Sequence, residues 1–235
     1  PYDPWARRRL GDLYRAHGWN DDAYREYRTL ARLRPDDPSV QLLLARAAAG
    51  AGRTDEALRL ERDLSEEVPP GVYQGASAIA RIWSAVRLYE LESEARGTEL
   101  VAAIDRRQRE SGVLRDPPAI FTALTWSHPD DAPEMYIWHP AMEEESWERA
   151  EIRGPSFGIE STPIRERDSG LYHIETRRIE RDELRDLEAK LMVVVEPGTE
   201  NQRIIEQDIR LTREERTLRF RLTESNTLET VAVRR

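Results

Sequence analysis

The chain has 235 residues, 34% of them charged, with 36 basic against 45 acidic side chains and a formal net charge of −9. That balance argues against general affinity for the nucleic-acid backbone or an anionic membrane surface, and no run approaches the roughly 20 apolar residues that span a bilayer. With no cysteine in the chain, disulfides, thiolate zinc sites and cysteine nucleophiles are excluded.

The first 111 residues carry Ala, Leu and Arg at helical spacing, and an offset of 34 residues aligns them with themselves. Asp3-Pro4 meets Asp37-Pro38, Leu10 meets Leu44, Gly18 meets Gly52, and Asp21 meets Asp55. Ala23, Arg25, Arg28, Leu30 and Pro35 then meet Ala57, Arg59, Arg62, Leu64 and Pro69. Pro4 and Pro38 suit a first helical turn, and Gly18 and Gly52 stand where a first helix must stop and reverse. Asn20 or Thr54 can cap a second helix, which Pro35 or Pro69 ends. Small Ala23 and Ala57 suit close helix crossings. The offset therefore predicts two helical hairpins, over about 4–36 and 38–70.

Leu10, Gly11, Tyr14, Gly18, Ala23, Tyr27 and Pro35, followed by Leu44, Ala45, Gly52, Ala57 and Pro69, resemble the tetratricopeptide (TPR) pattern across residues 2–70. Two positions depart from it: Glu61 stands where an aromatic is usual, and Ala48 where Tyr is usual. The resemblance implies that first helices line a concave groove, which here means Trp5, Arg8, Asp12 and Arg15 in one repeat and Leu42, Arg46 and Ala49 in the next. Arg8 and Asp12 replace the Lys and Asn with which carboxylate-clamp TPRs hold chaperone C-termini, which speaks against that partner; with Arg8, Arg15 and Arg46 facing the groove, the expected partner is an extended or helical peptide that is acidic or amphipathic with acidic flanks. A repeat cannot bury its stacking face alone. Extra helices are expected over about 73–111, with Ile79, Ile82, Trp83, Val86 and Tyr89 in one and Leu100, Val101 and Ile104 in the other.

Asp116-Pro117-Pro118 marks a change of style, placing a linker at 112–118 and a second domain at 119–235. There the apolar period becomes two. Ile120, Thr122, Leu124 and Trp126 are expected to share a strand face, and Met135 to Trp138 to form a short strand. Further strands are expected near 147–153, 170–177, 187–196, 202–211, 216–223 and 227–233, with Pro197-Gly198 as a turn. Eight short strands predict an all-β antiparallel sandwich, making the whole chain an α+β protein of two domains. LTWSHPDDAPEMYIWHP, SGLYHIE and VVVEPGTENQRII resemble an uncharacterised β-sandwich domain of bacterial envelope proteins, which implies a bacterial periplasmic or cell-envelope setting. Arg in place of Lys everywhere but Lys190 reads as a GC-rich bacterial genome. The start at Pro1 leads us to expect domains upstream.

No catalytic set emerges: Gly-x-Ser-x-Gly and phosphate-loop motifs are absent, and Glu143, Glu144 and Glu145 read as a solvated charge run. Asp130, Asp131 and Glu134 read as a turn rather than a calcium site, and His128, His139 and His173 with Glu175 lack metal-ligand spacing. No metal or cofactor is expected. Trp126, Tyr136, Trp138 and Trp147 read as core in preference to an exposed platform for sugars or peptides. The sequence thus predicts a non-enzymatic protein-protein interaction scaffold. Its alternatives are a carbohydrate-binding module and the structural C-terminal part of a larger envelope protein.

Overall fold

The structure is a computed structural model that describes residues 3–67, 74–94, 118–126, 133–140, 142, 148–149, 152–154, 159–165, 167–168, 170–178, 186–212 and 217–231. The chain divides into two units, 1–116 and 117–235. Of the expected linker, only Pro118 is among the described residues.

Helices α1 Pro4–Ala16 and α2 Asn20–Leu33 recur 34 residues on as α3 Pro38–Gly50 and α4 Thr54–Glu67. The same chemistry sets both pairs of boundaries. Asp3 and Asp37 accept hydrogen bonds from the amides of Trp5 and Ser39, and a proline fills the first turn behind each. At the other end Gly18 (φ +73°) and Gly52 (φ +72°) take the left-handed conformation. The Trp19 amide then reaches Tyr14 O at 2.9 Å, and the Arg53 amide reaches Ala48 O at 2.8 Å. Gly18 and Gly52 close the inner rings on Arg15 and Ala49, each at 3.0 Å, so four orphan carbonyls are satisfied.

Asn20 does not cap α2. That position belongs to Trp19, which makes no side-chain cap bond. The Asn20 amide lies instead against Gly50, where an added Cβ would stand 3.0 Å from its Oδ1. The first residue of α2 therefore meets the last of α3, and the two helices run antiparallel. Helix α5 covers Gln74–Glu94 and buries Ala76, Ile79, Ala80, Ile82, Ala85 and Val86; α4 packs on it. The helix expected over 98–111 lies outside the described residues.

The second unit holds β1 Ile120–Trp126, β2 Pro133–Trp138, β3 Glu148–Arg149, β4 Ile152–Gly154, β5 Ile159–Ile164, β6 Tyr172–Arg178, β7 Leu187–Val195, β8 Arg203–Leu211, β9 Thr217–Leu222 and β10 Leu228–Val231. They form two antiparallel sheets, ordered β4-β5-β1-β7-β8 and β10-β9-β6-β2-β3. One core cluster draws on both: Ile120, Leu124, Leu191 and Val193 from the first, with Met135, Ile137, Ile174 and Phe220 from the second. Central strand β1 is buried on both faces along Ile120 to Leu124, so Phe121 and Ala123 are as enclosed as Ile120 and Leu124. An apolar run of this kind marks a strand without a solvent face.

Two strand expectations need correction. The segment 147–153 is two strands in different sheets, β3 on β2 and β4 on β5. Strand β5 was not foreseen, because Ile159–Ile164 interposes Glu, Ser, Thr and Pro between its isoleucines. Pro163 is tolerated because β4 pairs with β5 only as far as Ser161, so its missing N–H lies on an open edge.

Candidate functional site

The residues expected to line a groove are ordered by their own contacts. Asp12 is the centre of the α1 group: Arg8 Nε stands 2.6 Å from its carboxylate and Arg15 3.9 Å. The Tyr27 hydroxyl from α2 donates to it at 2.5 Å. Burial and the Asp12 charge together push the Tyr27 hydroxyl well above its ordinary range. Gly11 makes this possible, since a Cβ there would come within 2.8 Å of the Tyr27 ring. Arg8 is 4% exposed and Leu42 is 2% exposed, so neither presents a surface to a ligand. Trp5, Asp12, Arg15, Arg46 and Ala49 are half-buried.

One repeat on, Arg46 stands where Asp12 stood and Glu61 where Tyr27 stood. The exchange keeps a polar link but reverses its partners. Glu61 is fully buried and accepts from Arg87 of α5 through both carboxylate oxygens, at 2.7 and 3.3 Å, and from the Ser84 hydroxyl at 3.4 Å. Burial pushes its carboxyl up, against the pull of Arg87, Ser84 and Arg46. Arg46 lies over the Trp83 ring, 4.6 Å from its centroid. Sequence reasoning had flagged Glu61 as an oddity and Trp83 as core; it missed Arg87. The signal was the oddity itself, because a buried acid requires a base on the next helix.

The second unit assembles a polar and aromatic face on β2, β6 and β9. Met135, Ile137, Ile174 and Phe220 point into the core, so Tyr136, Trp138, His173, Glu175, Arg219 and Arg221 occupy the opposite face. This corrects the reading of Tyr136 and Trp138 as core residues: both phases of MYIW are apolar, and period alone could not choose between them. Trp126 does pack against the core, half-buried.

Glu175 is buried between Arg177 and Arg219, each in close contact with one carboxylate oxygen. Arg177 covers the Tyr136 ring at 4.6 Å, and the Tyr136 hydroxyl donates to Glu134 at 2.6 Å. His173 meets Trp138 edge to face at 5.5 Å. Burial, then Arg221 and Arg219, hold its imidazole below the usual range. His139 stacks instead on Tyr172 at 6.3 Å, with Asp168 3.8 Å from Nδ1. The two histidines thus serve different neighbours. Among the described residues no group of three His, Asp or Glu is arranged to hold a metal ion, and no helix is long and apolar enough to cross a membrane. His128, Asp130, Asp131, Glu143, Glu144, Glu145 and Trp147 lie outside the described residues.

Comparison with protein-family models, with curated proteins and with solved structures finds no match to this chain.

Proposed function

We propose that the helical unit is a TPR-type array that docks an acidic or acid-flanked peptide along α1, α3 and α5, and that the β unit is a sandwich serving as a second binding or spacing module. On this reading the chain is a non-enzymatic interaction scaffold. The observation that carries it is the repetition of both helix boundaries and both turn geometries at one offset, which is how a solenoid builds one continuous ligand surface from equivalent helices. Charge supports the ligand class: with Arg8 buried against Asp12 and Arg87 against Glu61, the partly exposed members of the two networks include the cations Arg15 and Arg46.

The test is fluorescence anisotropy with a library of acidic amphipathic peptides against the full chain and an Arg15→Glu/Arg46→Glu variant. Arg8 is left in place because it is buried. Binding that weakens with salt and is lost in the double variant supports the reading; peptide binding unaltered by that variant, and lost on changing Trp138 or Arg221, moves the site to the β unit. A glycan-binding role for the β unit is the second reading. The outward placement of Tyr136 and Trp138 favours it, and retention of glycan binding by Trp138→Ala would remove it.

A further inference from the structure

Among the described residues, one edge of the two sheets differs from the others. Strands β3, β4 and β10, which end their sheets, have two, three and four residues, and edges so short offer little to pair with. Strand β8 is an edge of nine residues whose strand partner, among the described residues, is β7 alone. From Ile204 onward it has no proline, no glycine and no inward-facing charge, the devices that commonly guard such an edge. Ile205, Ile209 and Leu211 face the core, so Ile204, Glu206, Asp208 and Arg210 share the outer face.

The charges on that outer face discriminate between ways of pairing the edge. A second copy meets it by two-fold symmetry, which sets the two β8 strands antiparallel and makes the contact self-complementary. Keeping core face beside core face puts the axis at a residue, because a slip of one position turns the core set outward. An axis at Glu206, Asp208 or Arg210 sets that charge against its own copy, and an axis at Gln207 sets Glu206 against Asp208. Like charges directly opposite are destabilising. The axis at Ile209 alone brings opposite charges face to face with no like pair: Asp208 lies opposite Arg210 of the second copy twice over, Ile209 opposite Ile209, and Gln207 opposite Leu211.

Both charged side chains are accessible for this, Asp208 at 87% and Arg210 at 68% exposure. Their contacts within the chain, Lys190 at 3.4 Å and Asp186 at 2.6 Å, are solvent-facing pairs that a second partner can share. The pattern favours a copy of this chain over any other strand, because acid and base on either side of Ile209 complement their own reverse.

We propose that β8 is a self-association edge: two copies of the chain pair their β8 strands antiparallel over residues 206–212 about Ile209, joining two five-stranded sheets into one continuous sheet. A ladder of this length is a small contact, so the dimer is weak and reversible. The inference stands apart from the peptide groove, and Arg15→Glu/Arg46→Glu should leave the dimer unchanged.

Sedimentation velocity on the full chain over a concentration series should show monomer and dimer in exchange. Asp208→Arg alone and Arg210→Asp alone each set like charges across the axis, and each should weaken the dimer about ten-fold or more. Mixed in equal amounts, the two variants restore opposite charges at both positions and should recover the association of the unaltered chain. Where either reversal changes circular dichroism or thermal unfolding, Asp208→Asn and Arg210→Gln take their place, and each should still weaken association. Monomer at every concentration overturns the proposal, and is the result expected if the edge is instead reserved for a strand from another segment of a longer protein. A dimer indifferent to both reversals, or variants that fail to recover on mixing, overturn it as well.

Discussion

Both halves of the chain bury a glutamate against arginine, and they do so in opposite ways. Glu61 lies between α4 and α5 with Arg87, whose side chain is itself 13% exposed. Glu175 is just as enclosed, but its partners Arg177 and Arg219 are 46% and 38% exposed. The lesson is that burial of an acid does not fix what it costs. A helix interface seals both members of the pair away from water, whereas a sheet face seals the acid and lets the bases reach solvent.

Arg87→Met is the strongest way to break this comparison. It leaves Glu61 buried without its bidentate partner, and such losses cost about 3 to 5 kcal/mol. Denaturant unfolding should show it. Glu61→Leu together with Arg87→Met should be close to neutral, since the pair's desolvation cost disappears with it. Because burial pushes the Glu61 carboxyl up, the ionised acid is the form that depends on Arg87: the Arg87→Met defect should be largest where Glu61 is ionised and should shrink as pH falls and the acid takes up a proton. A defect independent of pH would mean Glu61 is not desolvated as described.

Glu175→Gln should cost less, on the order of 1 to 3 kcal/mol. Arg177 and Arg219 lose a partner but can turn to water, so the penalty is the lost charge-assisted bonds without a stranded charge. A loss equal to that of Arg87→Met would erase the distinction between the two halves.

The helical half was the more legible, and the reason is distance along the chain. Glycine turns and hairpin partners lie within one repeat, so an offset of identities carries them together, although it aligned Asp3 with Asp37 without marking them as the caps and offered Asn20, which is not one. What it could not carry was the identity of a partner on α5: Arg87 stands 26 positions beyond Glu61, outside the repeat match. In the β half, strands β6 to β10 announced themselves as short runs between turn signals, but sheet membership did not. The sequence of β3 and β4 looks like one strand, and the polar Ile159–Ile164 does not look like a strand at all. The inward phase of β2 could be read only once Met135 and Ile137 were seen against Ile174 and Phe220.

Glycine turns sharpen the contrast on a smaller scale. Gly18 and Gly52 have left-handed φ and open space where a Cβ would go, so Gly18→Ala and Gly52→Ala should each cost about 1 to 2 kcal/mol by conformation alone. Equal values are expected, because the two turns are the same turn. Gly170 has φ +130° and a Cβ there would stand 2.9 Å from Pro140. Gly170→Ala therefore adds a clash to the strain and should exceed either helical variant in thermal unfolding. A smaller effect at Gly170 would show that the Pro140 contact yields freely.

The smallest effect should come from His173, and its sign distinguishes the sheet face from the helix interface once more. His173 lies in register between Trp138 and Arg221, and burial with Arg221 and Arg219 lowers its pKa from the ordinary 6.5. The unfolded chain then binds a proton that the folded chain resists, so the contribution of neutral His173 to stability is complete above about 6.5 and is lost as pH falls through the histidine range. Glu61 behaves in the reverse sense, its contribution shrinking as pH rises. His173→Gln should remove part of the acid sensitivity between about pH 7 and 5, and the difference between the two chains isolates this residue from the other three histidines. Because the ring is half-exposed and its cationic neighbours reach solvent, added salt should shrink that difference. A difference that persists in high salt would place the imidazole in a sealed site like that of Glu61, and the contrast between the two buried clusters would no longer hold.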